Sequence, residues 1–467
     1  MEPKKGEDIM NIKKSFLPLI LPIFPLIFIA YWTSTTTIAT ASERGKWEKP
    51  HLLSEVDVIS AQEFQSRPNI AFDKNGNAIA IWMLPEGEQF YIWYARYVKE
   101  KGWGKAEIIE KNIGGESKVI NTPRSIRLVV DSKGNALIVW LQPIGANKAS
   151  IWTKQYNVSK GWRPTEPIEI NLKGNIKMDV VSDEKGNAIL VWSQTAKNQD
   201  EQDGQNGNDV WIKRYEAGKG WADSELIETN LQGLSDFQIV MDKDGNAMLV
   251  FNQEYEGIYA KRYEAGKGWG KSQIISEQPF FSTRVTVAPN NDIFFLGHQH
   301  YNGRGVIGTS RYKVGKGWEP LQIIHEYYSK SSDHSAIDDD IIVDINGNAL
   351  AVWSWSDYYG RGINYDIWWA TYEEGKGWNA PKIISTDKGG RVFLNIIYTS
   401  NTAIIVWSLK KDGGVSSSLL ATVYEVGKGW GKPQIIDTDI KNFASENGIV
   451  VYIKRNGIWA SRFVNEN

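Results

Sequence analysis

The chain has 467 residues, 23% of them charged, and a formal net charge of -2. That balance, without any long basic stripe, argues against a nucleic-acid-binding protein. The absence of cysteine excludes disulfides and thiolate metal sites. The 21 tryptophans and 43 glycines indicate β-strands joined by many tight turns, because aromatic residues favour strands and glycine favours turns.

The first predicted element is an export signal. Lys13-Lys14 precedes an apolar run over residues 16–32, and a polar stretch follows that ends in Ala-Thr-Ala at Ala41. This order of charged, apolar and small residues is typical of a cleaved signal peptide. We therefore predict a signal peptide over 1–41, starting at Met1 or Met10, and one exported domain over 42–467, secreted or periplasmic. The alternative is an uncleaved N-terminal membrane anchor.

After that segment, one sequence unit recurs about eight times at intervals of about 50 to 60 residues. Each unit holds four segments of strand length that are rich in β-branched and aromatic residues, such as Asn77–Trp82 and Ile92–Tyr97. A Gly-Trp or Lys-Trp step marks each unit, and its tryptophans are Trp47, Trp103, Trp162, Trp221, Trp269, Trp318, Trp378 and Trp430. Such a repeat predicts an all-β protein, a β-propeller of four-stranded blades.

A short turn recurs inside the unit and has a clear physical cause. In the first copy it reads Asp73-Lys74-Asn75-Gly76-Asn77 and lies between the second and third strand segments. The Asp side chain caps the turn, while Gly and Asn tolerate a positive φ. The same turn starts at Asp131, Asp183, Asp242 and Asp344. These turns predict that consecutive strands are antiparallel neighbours.

The ends of the chain suggest how the ring closes. Strands A to D of a propeller blade run from the axis to the rim, so the Asp turn joins A to B and the marker Trp lies on D. The chain begins with a lone D strand, Trp47–Leu53, and ends with A, B and C but no D. We therefore predict eight blades, with the N-terminal outer strand completing the last blade and removing a free edge. Seven blades is the alternative, because the fifth, seventh and eighth units lack the Asp turn.

The unit resembles the repeats of secreted bacterial propellers, and its Asp-x-x-Gly-Asn turn is similar to that of NHL-type repeats. The likeness covers nearly all of the chain after the export signal and implies a fold rather than a reaction. The chain also invites comparison with sialidase-like propellers. Their Asp box reads Ser-x-Asp-x-Gly-x-Thr-Trp, whereas this chain has Asp-x-x-Gly-Asn-Ala, and Ser66-Arg67-Pro68 only partly matches the sialidase Arg-Ile-Pro step.

The connections from B to C and from D to the next A share one end of a propeller, and they vary most in this chain. Because loops carry function more often than strands do, we expect a ligand site at this end, around the fifth and sixth units. The candidates for binding a sugar or a peptide are aromatic or charged residues, namely Tyr301, Arg304, Trp355, Asp357, Tyr358, Tyr359 and Arg361.

Four of the five histidines lie in the same stretch, in predicted B–C and D–A loops. Imidazoles together with a carboxylate are suitable ligands for a divalent transition metal. The candidate ligands are His298, His300, His325, His334 and Asp333. The alternative interpretation is a set of solvated loop residues without a metal.

A further pattern lies on strand A, where a polar residue stands four positions before the turn in six units. These residues are Asn69, Arg127, Asp179, Gln238, Arg284 and Asp340. Because A is the innermost strand, we predict that they line the central channel. We interpret them as mutually hydrogen-bonded groups that stabilise a wet channel. The alternative is a pocket for a small charged ligand.

Three functions remain open. The first is a scaffold that binds a protein or a carbohydrate, without a nucleic-acid partner and without a membrane after signal cleavage. The second is a glycoside-processing enzyme, sialidase-like or lyase-like, which needs spaced carboxylates or an arginine cluster. Its candidates are Asp333, Asp357, Asp366, Glu326, Arg67 and Arg304. The third is a metal-dependent function of the histidines. The lack of a catalytic motif favours the scaffold.

Overall fold

In a computed structural model of the protein, the described residues belong to one compact unit within Glu43–Asn467 and contain strands but no helix. The ranges described are 45–55, 67–86, 89–113, 126–145, 148–196, 207–254, 256–301, 304–328, 336–359, 362–388, 392–399, 402–410, 417–425 and 428–465. The predicted signal peptide lies outside them. Within these ranges, no helix has the length and apolar character needed to span a bilayer.

The strands form antiparallel sheets in which sequence neighbours are hydrogen-bonded. The first strand of a sheet, A, lies at one edge: β3 (Asn69–Phe72), β8 (Ile126–Val130), β13 (Met178–Ser182), β18 (Leu234–Met241), β23 (Arg284–Val287), β28 (Ala336–Val343) and β33 (Val392–Thr399). Strand B pairs with A: β4 (Ala78–Glu86), β9 (Ala136–Gly145), β14 (Ala188–Thr195), β19 (Ala247–Gln253), β24 (Ile293–Tyr301), β29 (Ala349–Tyr359), β34 (Thr402–Lys410) and β38 (Ile449–Lys454). Strand C pairs with B: β5 (Gln89–Val98), β10 (Lys148–Asn157), β15 (Asn208–Glu216), β20 (Gly257–Glu264), β25 (Arg304–Lys313), β30 (Gly362–Glu373), β35 (Ser417–Glu425) and β39 (Gly457–Asn465).

The outermost strand, D, consists of two pieces that both pair with C. The first piece is a Gly-Trp pair: β6 (Gly102–Trp103), β11 (Gly161–Trp162), β16 (Gly220–Trp221), β21 (Gly268–Trp269), β26 (Gly317–Trp318), β31 (Gly377–Trp378) and β36 (Gly429–Trp430). The second piece is longer: β7 (Glu107–Ile113), β12 (Glu166–Lys173), β17 (Glu225–Leu231), β22 (Gln273–Ser276), β27 (Gln322–Tyr328), β32 (Lys382–Lys388) and β37 (Gln434–Glu446). The N-terminal strands β1 (Gly45–Trp47) and β2 (His51–Glu55) pair with β39 in the same manner.

Six sheets have five strands, and we number them 1 to 6 from sheet 1 (β3 to β7) to sheet 6 (β28 to β32). The remaining sheet has nine strands because β37 is continuous. Its first half pairs with β35, and its second half, from Ile440 onwards, pairs with β38. The segment predicted as strand A of the last unit, Phe443–Glu446, pairs with β38, but it is continuous with the D piece before it rather than a separate strand. The chain instead changes partner within one strand, through a positive φ of 60° at Asp439 and a register shift after Ile440.

Apolar side chains are packed between neighbouring sheets rather than inside any one of them. The tryptophans near the middle of strand B are the largest of these and are at most 1% exposed: Trp82, Trp140, Trp192, Trp353 and Trp407. The A strands contact one another in cyclic order: β3, β8, β13, β18, β23, β28, β33, β37 and β3 again. Antiparallel sheets whose inner edges meet in this way form a propeller-like all-β fold.

The Asp carboxylate stabilises the recurring turn by accepting hydrogen bonds from residues of the turn. In sheet 1, Asp73 Oδ1 accepts hydrogen bonds from the backbone N–H groups of Asn75 (2.8 Å) and Asn77 (2.9 Å), while Asn77 Nδ2 donates to Asp73 Oδ2 (2.8 Å). Gly76 has a φ of 81°, which favours glycine at that position. The Asn77 side-chain oxygen then accepts from the N–H of Lys99 in the C–D turn (3.1 Å). The motif therefore fixes two turns at the same end of each sheet.

Candidate functional site

Two sets of mostly polar residues stand at successive levels along or just before the A strands. The first is the polar ring predicted from the sequence. The second stands two residues earlier, nearer the B–C/D–A end, and we call it the entrance ring: Arg67, Lys177, Asp236, Ser282, Asp338 and Phe393. Asp236, Asp338 and Phe393 lie on A strands, where side chains two residues apart are on the same side, whereas Arg67, Lys177 and Ser282 lie one or two residues before β3, β13 and β23. The sequence analysis missed the entrance ring, although this two-residue spacing from the polar ring was the signal for it.

Residues of the polar ring link neighbouring sheets through hydrogen bonds. Arg127 Nε donates to Asp179 Oδ1 across sheets 2 and 3 (3.1 Å). The other Asp179 oxygen lies 3.4 Å from the backbone nitrogen of Ile239 in sheet 4. Gln238 Oε1 likewise accepts from the N–H of Val285 in sheet 5 (2.8 Å). Strand A is an edge strand, so its outward N–H groups have no strand partner and need such acceptors.

The remaining members of the polar ring have local and inter-sheet partners. Asp340 accepts from the N–H of Ile396 in the next inner strand (2.9 Å) and from that of Ile341 (2.9 Å). Asn69 donates to the carbonyl oxygen of Arg67 (3.4 Å). These contacts are of the kind that the channel-stabilising interpretation describes.

A buried charge cluster joins sheets 5 and 6 at the entrance ring. Arg284 Nη2 lies 3.2 Å from Asp338 Oδ1, and Arg284 Nε donates to the carbonyl oxygen of Asp339 (2.9 Å). The Asp339 carboxylate accepts from Ser282 Oγ (2.7 Å) and lies 3.3 Å from His298 Nδ1. Asp338 and Asp339 are both buried, at 7% and 1% exposure. Several hydrogen bonds therefore compensate the desolvation of these two carboxylates.

The surroundings shift the pKa values of the consecutive carboxyl groups Asp338, Asp339 and Asp340 in different directions. Burial raises the pKa of Asp338, against the opposing charge of Arg284. Burial acts in the same sense on Asp339, but the hydrogen bond and charge of His298 hold its pKa below the usual range, with help from Arg284 and Ser282. Burial also raises the pKa of Asp340 to about 6. Carboxyl groups that differ in this way are typical of functional sites.

Lys177 and Asp236 occupy equivalent positions on sheets 3 and 4, and they lie close enough for the charge of Lys177 to act on the Asp236 carboxylate. Both are half-buried. Burial raises the pKa of Asp236, and the charges of Lys177 and Arg284 oppose that rise. The Asp236 carboxylate has the N–H of Phe237 as a partner, whereas Lys177 Nζ makes no hydrogen bond or ion pair with any residue in the described ranges. The pair thus presents a cation and an anion to the same space.

The predicted ligand-binding residues lie on two long hairpins. Tyr301 pairs with Arg304, and Tyr359 pairs with Gly362, so each connection has only two residues. The sequence analysis placed His298, His300 and the residues from Trp355 to Tyr359 in loops, which is wrong, because β24 and β29 continue through them. His325 likewise lies in β27 rather than in a D–A loop. The signal missed at the first hairpin was Asn302-Gly303, a two-residue turn sequence.

The described side chains of this region make contacts of their own. Arg304 Nε lies 2.6 Å from Glu326 Oε1, and the Trp355 ring packs against Tyr327. The side chains of Tyr301, Asp357, Tyr358 and Tyr359, and all of Arg361, lie outside the described residues. Their role in ligand binding stays a prediction.

Among the candidate metal ligands, the two histidines with described side chains, His298 and His325, both pair with Ile307 in sheet 5. His325 Nδ1 accepts from Trp353 Nε1 (3.1 Å), and its ring packs 4.4 Å from that of Trp368. Burial lowers the pKa of His325. Each histidine is therefore engaged with sheet 6 through a different partner.

The other candidate metal ligands lie outside the description: the His300 side chain, His334 and Asp333. Among the described residues, no group of three or more His, Asp or Glu side chains is arranged to hold a metal ion. The metal site proposed from the sequence stays a prediction.

Comparison with known proteins informs the fold. No protein-family model and no curated protein matches the sequence. The BP39L lectin of Burkholderia pseudomallei superposes with a TM-score of 0.51 at 10% identity, over 79% of this chain and 99% of the lectin. A polysaccharide lyase acting on ulvan has a TM-score of 0.48 at 10% identity, over 72% and 91% of the two chains. The NanB sialidase of Streptococcus pneumoniae has a TM-score of 0.36 at 11% identity, over 84% and 83%. The lectin superposition supports the propeller-like all-β fold.

Proposed function

We propose that the chain is an exported propeller of eight blades, with the N-terminal outer strands completing the last blade. The cyclic contacts of the A strands support this count, as does the pairing of β1 and β2 with β39. Arg462 of β39 also reaches Glu48 (3.1 Å) and donates to the hydroxyl of Tyr97 in sheet 1.

Two measurements test this architecture. Deleting residues 45–55 exposes the edge of β39, so we expect a lower melting temperature and self-association. A monomer of unchanged stability would contradict closure by these strands. For export, N-terminal sequencing of protein recovered outside the producing cell is expected to begin at Ser42, whereas retention with an intact N-terminus would contradict cleavage.

We further propose that the protein binds a carbohydrate at the B–C/D–A end of the ring. The observation that carries this is the Lys177–Asp236 pair, whose opposite charges face one space while Lys177 makes no bond to a described residue. Saccharides present hydroxyl groups that donate to carboxylates and accept from ammonium groups. Phe393 of the entrance ring, over which the Arg67 guanidinium lies at 4.8 Å, adds an aromatic wall. A lectin shares this fold, so saccharides are the first ligand class to test.

A glycan array with matched variants tests the site. We expect Lys177→Ala and Asp236→Asn to weaken binding about tenfold or more, since each removes a charge-assisted hydrogen bond. Lys185→Ala is the control, because Lys185 is exposed in the Asp turn of the same sheet at the opposite end. Equal binding by all three variants would place the ligand elsewhere, and a wild-type protein that binds no glycan would refute the carbohydrate proposal.

The hairpins of sheets 5 and 6 form a proposed extension of this site for longer saccharides. In the same array, Arg304→Ala is expected to weaken binding of oligosaccharides while leaving the shortest bound glycan unaffected. If Arg304→Ala changes neither, the extension does not contact the ligand.

A second function, glycoside processing, is favoured by the opposite pKa shifts of Asp338 and Asp339. A carboxyl group with a raised pKa can act as a general acid beside an ionised one. Incubation with the polysaccharides that bind, followed by chromatography of the products, tests it. We expect Asp338→Asn to abolish cleavage but preserve binding, and intact polysaccharide after incubation with the wild type would refute the activity.

A further inference from the structure

One inter-sheet contact recurs on the C strands, at the opposite end of the sheets from the carbohydrate site. An arginine guanidinium lies over the tyrosine ring of the next sheet, at 5.1 to 5.9 Å from the ring centroid: Arg214 over Tyr263, Arg262 over Tyr312, Arg311 over Tyr372, and Arg462 over Tyr97. Arginine stacks well on aromatic faces because its guanidinium is planar and weakly hydrated. A guanidinium therefore fills this position at four inter-sheet contacts, whereas the equivalent residues elsewhere include Gln155, Thr371 and Val423.

In sheet 4 this arginine also binds the carboxylate of its own Asp turn, and in sheet 5, which lacks that turn, it binds an Asp at the position of the turn's last Asn. Arg311 Nη2 lies 2.7 Å from Asp292 Oδ2, and Arg262 Nη2 lies 3.5 Å from Asp242 Oδ2. The position thus combines a carboxylate with an aromatic face. Both groups attract a planar cation.

Between sheets 2 and 3 the arginine is replaced by Gln155, and a cavity of about 180 Å³ lies at this place. The equivalent carboxylate and tyrosine, Asp131 and Tyr215, line it together with Gln155. Ala217 and Gly218, which are exposed, also line the cavity, so it opens to the surface.

The groups around the cavity are matched to a guanidinium. Asp131 is 7% exposed and accepts hydrogen bonds from its own turn, but it has no ion pair within the described ranges. Gln155 Oε1 is a second acceptor, which receives a bond from the Tyr215 hydroxyl (3.1 Å). We propose that this cavity binds the guanidinium of an arginine side chain presented by another polypeptide, in the place that the protein's own arginine fills elsewhere.

One positive charge, that of Arg163, already lines the cavity. Arg163 Nη1 donates to Gln155 Oε1 (3.1 Å), but Arg163 is itself exposed. An incoming guanidinium would take over the Gln155 oxygen and turn Arg163 towards solvent. Arg163 therefore weakens binding, and its removal is expected to strengthen it.

Isothermal titration of the full chain with an acetylated, amidated arginine tripeptide tests the proposal. The same tripeptide with citrulline, which is nearly isosteric but neutral, is the matched control, and we expect it to bind about tenfold more weakly or worse. Gln155→Arg fills the cavity and is expected to lose about tenfold or more in affinity, whereas Arg163→Ala gains about two- to fivefold.

Several results would overturn the proposal. Equal binding of the arginine and citrulline peptides would show that no guanidinium is recognised, and unchanged affinity in Gln155→Arg would show that the cavity is not the site. If Gln155→Arg fails to fold, Arg163→Ala still tests the proposal. Weaker peptide binding by Arg163→Ala would contradict the predicted competition between Arg163 and the incoming guanidinium. Free arginine binding much more tightly than the peptide would overturn the assignment to a polypeptide. Glycan binding at the other end is expected to be unchanged in both variants.

Discussion

Arg311 fills the space between sheets 5 and 6, whereas the equivalent space between sheets 2 and 3 holds Gln155 and a cavity. Arg311 is only 4% exposed and donates to the Tyr372 hydroxyl (2.9 Å) and to Asp292. The strands on either side pair in the same way at both places. These two inter-sheet contacts thus differ in whether an arginine of strand C fills the space next to the tyrosine of the following sheet.

The two contacts also differ at their inner ends. Between sheets 5 and 6, the Arg284 side chain is 33% exposed, but the carboxylates of its partners Asp338 and Asp339 are buried, with side-chain exposures of 9% and 0%. Between sheets 2 and 3, Arg127 pairs with Asp179 while its side chain keeps 40% exposure. Buried pairs are costly to break from one side, whereas exposed pairs contribute little. The contact between sheets 5 and 6 is therefore the more rigid one, and the contact between sheets 2 and 3 the more adaptable.

The largest expected effect on stability comes from removing the arginine that fills the space between sheets 5 and 6. Arg311→Gln leaves the Asp292 carboxylate buried without its cation, so we expect the free energy of unfolding to fall by about 3 to 5 kcal/mol. Arg214→Gln is the matched control, because Arg214 makes the same stacking contact from an exposed position and is expected to cost below about 1 kcal/mol. Denaturant unfolding measures both, and equal losses would contradict the distinction.

The inner charge cluster is expected to give a somewhat smaller, pH-dependent effect. Asp339→Asn removes the charge facing His298 and Arg284, and we expect a loss of about 3 kcal/mol at pH 7. Because the pKa of Asp339 is lowered in the folded protein, its stabilisation is present above the unfolded pKa near 3.9 and is lost as pH falls through the folded pKa. The gap between wild type and variant should therefore narrow below about pH 4. A gap that stays constant down to pH 2 would show that the charge is not responsible.

Filling the cavity between sheets 2 and 3 is expected to stabilise the protein modestly. Gln155→Arg supplies a guanidinium to Asp131 and Tyr215 and fills the cavity, so we expect a gain of about 1 kcal/mol. The melting temperature measures it, with Gln155→Lys as the control that adds charge without a planar group. A loss of stability in Gln155→Arg together with a gain in Gln155→Lys would contradict the fit.

Breaking the exposed Arg127–Asp179 pair between sheets 2 and 3 should have the smallest effect on stability. Arg127→Gln is expected to lower the free energy of unfolding by about 0.5 kcal/mol, and the difference should vanish in about 0.5 M salt, because exposed ion pairs are screened. Comparing wild type and variant at two salt concentrations measures this. A loss above about 2 kcal/mol that persists in salt would make this contact as rigid as that of Arg284.

The repeat and its turns could be predicted from the sequence because their causes are local. Asp73, Gly76 and Asn77 bond within a few residues of one another, so their spacing alone specifies the turn. Counting four residues back from each turn likewise selected the residues of the polar ring, and their lining of a central channel stays a prediction. The length of the β24 hairpin was missed although Asn302-Gly303 indicated a two-residue turn, whereas β29 has no such signal and continues as far as its register with β30 matches.

The candidate sites were harder to predict, because they depend on residues from different sheets. Lys177 and Asp236 are about 60 residues apart in the chain and meet only because successive A strands surround one axis. The cavity at Gln155 cannot be recognised from one unit, since glutamine is an ordinary strand residue. It becomes visible only when the tyrosine of the next sheet is found beside it.

The sequence by itself determined the antiparallel units, their turns and the buried tryptophans, because short-range hydrogen bonds and alternating hydrophobicity specify each unit locally. The tertiary structure decided which side chains of neighbouring sheets meet. That follows from long-range packing around the ring, where the volume and charge of one residue act on a partner an entire unit away. Arg311 and Gln155 occupy equivalent places in their own sheets. Only the residues of the next sheet show that the space beside Arg311 is filled and that the space beside Gln155 is a cavity.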